Sequence, residues 1–159
     1  MDSTGLGRWS WSTFQGKNQL ITRIITAYRP VKATNDHPTT VFAQQEKYFC
    51  EHGGYRNPRE AFFEDLTNVI QEWLNDGNQI IIGIDANEDT WHGYPQVWAT
   101  TLGLVNAHRL LYPNLSPVAT CNKNASNIPI DGIWISPGVN LADGGMTGFG
   151  EIDMDKADH

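Results

Sequence analysis

The sequence of 159 residues predicts one mixed α/β (α+β) domain, and three stretches carry that reading. Residues 79–85, Gln-Ile-Ile-Ile-Gly-Ile-Asp, form an apolar run that stops at a polar cluster. Residues 58–75 show helical periodicity, and residues 19–28 are rich in β-branched types. Isoleucine loses rotamer freedom in a helix and packs well on a pleated surface, so Ile80 to Ile84 read as a strand. A run without polar alternation predicts a strand covered on both faces.

The first stretch, Gln-Leu-Ile-Thr-Arg-Ile-Ile-Thr-Ala-Tyr at 19–28, reads as a strand that leaves the sheet at Arg29-Pro30. After a loop, Thr39 or Thr40 can cap a helix running to about Cys50 and ended by Gly53-Gly54. The clearest helix starts at Pro58 behind the capping residue Asn57 and is closed by Gly77. Phe62, Leu66, Val69, Ile70 and Trp73 recur every three or four residues along it, a stripe that must cover a sheet face. Beyond the Ile80 strand, residues 90–94 read as a loop at the mouth of any site and 96–101 as a short helix. Residues 102–107 suggest a turn into buried backbone, and 113–127 a polar connection. Residues 128–136, Ile-Pro-Ile-Asp-Gly-Ile-Trp-Ile-Ser, alternate as a strand in which Asp131 is the odd member, a carboxylate that needs a partner if it is buried.

Asp85 and Asn87 stand where the Ile80 strand ends, and open α/β sheets tend to bind ligands near the carboxyl ends of their strands. The plainer reading is a turn closed by their side chains. An EF-hand loop starting at Asp85 fails, because Thr90 stands where a Gly is needed and Gln96 where a bidentate Glu is needed.

Composition narrows the classes further. A hydrophobic content of 40% with six Trp supports a globular body. No apolar stretch approaches the ~20 residues that span a bilayer, so no membrane partner is expected and the chain reads as intracellular. Cys50 and Cys121 are too few for a disulfide framework and read as buried thiols, with a single bridge open to them. Net charge is −7, yet residues 1–32 carry +4 through Arg8, Lys17, Arg23, Arg29 and Lys32 against Asp2. A basic beginning suits phosphates, and an acidic remainder suits divalent metal or, for most of these charges, simple solubility.

Five pieces in order, Ile-Thr-Ala-Tyr-Arg-Pro at 25–30, Gly-Ile-Asp-Ala-Asn at 83–87, Leu-Gly-Leu-Val-Asn-Ala at 102–107, Ile-Asp-Gly-Ile at 130–133 and Ala-Asp-His at 157–159, carry a resemblance. Together they resemble the C-terminal half of the endonuclease/exonuclease/phosphatase family, the group of deoxyribonuclease I and the abasic-site endonucleases. The resemblance implies a four-layer αββα sandwich that hydrolyses phosphate esters with Mg2+ or Mn2+, and nucleic acid as partner. By position, Asp85 matches the acid that orients or deprotonates the attacking water and Asn87 the amide that holds phosphate or nucleophile. His159 matches the histidine that stabilises the phosphoryl transition state, Asp131 the acid that orients it, and Asp158 a metal carboxylate. Tyr28 matches the tyrosine directed at the phosphate, and Arg29 beside it is expected there too.

The chain departs from the family pattern at Ala86, Gly132 and Ala157, and nothing in residues 1–17 reads as the family's upstream Asn or metal-binding Glu. The expectation is therefore an incomplete sandwich, with an N-terminal portion and a last strand missing, and a weak or inactive isolated chain. Two functions follow as expectations: a metal-dependent phosphodiesterase, most simply a nuclease of retroelement type, or an inactive remnant that serves as a binding module.

Overall fold

In the computed structural model, residues 2–32, 37–121 and 128–142 are described. They form a five-stranded sheet, and the helices at 58–75 and 94–101 pack on one of its faces. The strands are β1 (Trp9–Gln15), β2 (Ile21–Tyr28), β3 (Gln79–Asp85), β4 (Val105–Asn106) and β5 (Asp131–Ile135). The helices are α1 (Val41–His52), α2 (Pro58–Asn75), α3 (Tyr94–Thr101) and α4 (Ala107–Leu111). The sheet order is β1-β2-β3-β5-β4, with β2 and β3 parallel and the other pairs antiparallel.

Local chemistry explains the helix ends. Thr40 Oγ1 accepts from the Ala43 N–H at 3.2 Å to open α1, and Asn57 Oδ1 accepts from the Arg59 N–H at 2.9 Å to open α2. Gly77 follows α2 at φ +77°, a left-handed conformation that suits glycine. The predicted stripe of α2 is the core: Phe62, Leu66 and Ile70 are fully buried against Ile80, Ile82 and Ile84. At about 1.5–3 kcal/mol for each large side chain, this contact dominates the packing.

The structure also corrects the sequence reading. Strand β3 is fully covered on one face only: Ile80, Ile82 and Ile84 are buried, whereas Ile81 and Gly83 on the other face are half-buried. Asp131 is exposed, so its carboxylate needs no partner to offset desolvation. Cys50 is exposed and Cys121 half-buried, both as free thiols. The short helix α3 begins two residues earlier than expected, at Tyr94. Strand β1 and helix α4 were not anticipated. In β1, Trp9 packs edge-on to Phe62 and Trp11 edge-on to Trp73, so alternate residues join the core.

The basic beginning is largely turned inward. Arg8 is fully buried and pairs with Asp2 at 2.7 Å and Asp65 at 2.8 Å, tying the first residues to α2. Desolvation of the Asp2 carboxyl is outweighed by Arg8 and the Thr4 hydrogen bonds, which hold it at about 2. Arg29 is buried as well, and Arg23 lies over the Trp73 ring.

Candidate functional site

Register alone assembles the site. Tyr28 pairs with Asp85 across β2 and β3, and Asp85 pairs with Asp131 across β3 and β5. Cross-strand partners project to the same face of a sheet, so the three side chains stand in a row on the face away from α2. Tyr28 and Asp85 come from the carboxyl ends of parallel strands, where loops are free to shape a cleft.

Backbone bonds lock this end of the sheet. The Arg29 N–H donates to the Asp85 carbonyl and the Ala86 N–H to the Ile130 carbonyl, both at 2.9 Å. Thr120 Oγ1 accepts from the Asp131 N–H at 3.1 Å, and Thr90 Oγ1 donates to the Asp131 carbonyl at 2.9 Å. Thr90 is only 1% exposed, and its bond to the Asp131 carbonyl satisfies its buried hydroxyl.

The Asp85 carboxyl is pushed above the usual carboxylate range, first by burial and then by the negative charge of Asp131. One N–H, that of Asn87 at 3.1 Å, opposes the shift. A half-buried acid beside a like charge is an arrangement found at catalytic centres, where proton affinity is set by environment.

Asn87 sits at φ +48°, which asparagine tolerates better than most residues, and its amide donates to the Arg29 carbonyl at 2.8 Å. The loop that carries it is clamped from behind. Glu88 binds both Arg29 and Arg59, and Arg59 also donates to the Pro30 carbonyl at 2.7 Å. Arg29 lies 4.8 Å from the Phe63 ring centroid and donates to the Arg59 carbonyl at 3.1 Å. Its guanidinium therefore faces the helix side and does not join the row, contrary to its expected place at a substrate phosphate: a buried cation goes to its carboxylate.

Asp85, Asn87, Asp131 and Tyr28 are thus brought to one end of the sheet, whereas Asp158 and His159 lie outside the described residues. Beside the row is a cavity of about 590 Å³ whose wall includes Asp85, Asp131, Trp91, Asn106 and His108. His108 was not singled out by sequence, because a lone His between Ala and Arg has no spacing signal. The loop of Trp91 was anticipated at the mouth.

Among the described residues no group of three or more His, Cys, Asp or Glu is placed to hold a metal. The Asp85 and Asp131 pair nonetheless supplies two carboxylates on one face, and magnesium usually takes one or two from a protein together with substrate phosphate.

No protein-family model matches the sequence, and no curated protein matches it. Among solved structures, the human Nocturnin catalytic domain with bound sulfate anion is similar at a TM-score of 0.53 and 18% identity, over 81% of this chain and 41% of that one. A mannosyl-6-phosphatase of Bacteroides thetaiotaomicron gives 0.48 and 13%, over 82% and 43%. A β-hairpin deletion mutant of the beta toxin of Staphylococcus aureus gives 0.40 and 11%, over 81% and 43%. The chain spans about two fifths of the length of each. With its helix layer on one face of a mixed sheet, and with the Nocturnin domain as its structural likeness, the chain has an α/β fold of the deoxyribonuclease I-like type, of which the described residues supply one helix layer and one sheet.

Proposed function

We propose that this chain carries part of the site of a metal-dependent phosphodiester hydrolase that acts on nucleic acid. The observation that supports the reading most is the row of Tyr28, Asp85 and Asp131 across three strands. Those are three of the positions at which the sequence resembles the endonuclease/exonuclease/phosphatase family, and the pairing gives them one face. A phosphodiester repels an incoming nucleophile, so attack by water needs a base, charge neutralisation and a positioned phosphate. Asp85 is the base: its raised proton affinity brings it closer to the operating pH, where proton transfer is most effective. Asp131 sustains that affinity through its charge, and Tyr28 presents a hydroxyl from β2. By resemblance Asp158 would hold the divalent ion, which when bound would neutralise the non-bridging oxygens.

Because the chain spans about two fifths of the neighbours' length, the activity is proposed for the whole protein, with a lower rate for this chain by itself. The test is conversion of supercoiled plasmid to nicked circles with Mg2+ or Mn2+. Asp85→Asn and Asp131→Asn should each slow it by about 100-fold or more. Cleavage that continues undiminished in both variants would sink the assignment, and tight DNA binding with no cleavage would favour the binding-module reading.

A further inference from the structure

Phosphate entering the cavity beside Asp85 and Asp131 meets two carboxylates, and among the described residues none that lines the cavity is Lys or Arg. Among the described residues, His108 is the one lining side chain that can carry a positive charge. It comes from α4, an element separate from the strands that bring the two acids. Its ring is edge-on to Trp91 at 5.4 Å and tilted against Tyr112 at 5.5 Å, so aromatic contacts set its place. Its Nδ1 is buried and has no hydrogen-bond partner. A buried atom cannot meet an incoming ligand, so Nδ1 belongs to the packing and the ring's other nitrogen is the one through which His108 can act. The neighbouring cation is committed elsewhere: Arg109 stacks 4.5 Å from the Trp91 ring centroid and donates to the Trp91 carbonyl.

We infer that His108 is a further catalytic residue of this site, whose imidazole meets the phosphoryl group and protonates the leaving oxygen. The inference rests on the phosphoester reading above. In the step, a water oxygen forms a bond to phosphorus and gives its proton to Asp85. The bond from phosphorus to the ester oxygen breaks, and that oxygen takes a proton from an N–H of protonated His108. Exchange with solvent then deprotonates Asp85 and reprotonates His108.

The experiment uses the isotope-labelled chain with Mg2+ and inorganic phosphate as probe, following the His108 ring and the Asp85 carboxyl by NMR. Both signals should move saturably together. His108→Gln and His108→Phe should each weaken phosphate binding about tenfold, the worth of one charge-assisted hydrogen bond. Phe keeps the ring between Trp91 and Tyr112, so a packing role would be rescued by Phe and a catalytic one would not. In turnover, both variants should lose more rate on an alkyl ester than on a p-nitrophenyl ester, whose leaving group departs without a proton. If Asp85 responds to phosphate while His108 does not, and the variants bind phosphate normally, the inference is overturned and the hydrolase reading stands. If neither signal responds, the hydrolase reading falls and takes the inference with it.

Discussion

Asp85 shows how one residue can be costly to the fold and useful to the chemistry. Its folded-state proton affinity is raised by burial and by Asp131, so the ionised carboxylate opposes folding. Stability from this group is fully present below the ordinary carboxylate range and is lost as pH rises through the raised folded value. Asp85→Asn should therefore melt higher than the parent at pH 7, by on the order of 0.5–2 kcal/mol, the gain often seen when strain at a functional site is relieved. The gain should vanish near pH 3, where the parent carboxyl is protonated, although the same variant loses cleavage. Thermal melts at the two pH values check this, and a gain of equal size at both would assign it to packing instead of charge. Arg29 illustrates the opposite case: the sequence places it next to Tyr28, but its pairing with Glu88 and its place over Phe63 make it a brace behind the Asn87 loop.

At the scale of elements, β5 is the strand on which the site depends, because it carries Asp131 against β3. Gly132 follows Asp131, and the Trp134 indole lies over it: a Cβ added at Gly132 would come within 2.4 Å of a ring carbon. That indole is fully buried and donates to Gln96 Oε1 at 3.0 Å, so it has little room to yield. Gly132→Ala should cost about 1–3 kcal/mol, as overpacking of a close-packed core does. Urea unfolding measures the loss, and near-UV circular dichroism should report a displaced Trp134; an unchanged midpoint would mean that β5 shifts freely. Gly132 thus has a steric account, since a larger residue and the Trp134 ring cannot share that space. Strand β1 was legible in principle: Trp9, Trp11 and Thr13 alternate with Ser10, Ser12 and Phe14, a period of two in which the Trp side chains face α2.

For the whole molecule, the two faces of the sheet differ. One is covered by α2, and the other exposes Phe14 at 54%, Ile24 at 41% and Ile133 at 55%. Apolar side chains grouped on an open sheet face promote association. Sedimentation of the chain should show concentration-dependent self-association that Phe14→Glu with Ile133→Lys reduces without changing secondary structure; a strictly monomeric parent would contradict it. By itself the sequence determined α1 and α2 with their caps, the strands β2, β3 and β5, and Asp85 at the end of a strand. All of these are written in local periodicity and capping chemistry, which a short window contains. Only the tertiary structure decided that β5 lies antiparallel beside β3, setting Asp131 next to Asp85, that Arg8 and Arg29 turn inward, and that His108 reaches the same cavity. Strand order and register are set by pairings between distant segments and by which face α2 buries, and a slip of one residue would turn Asp131 to the opposite face.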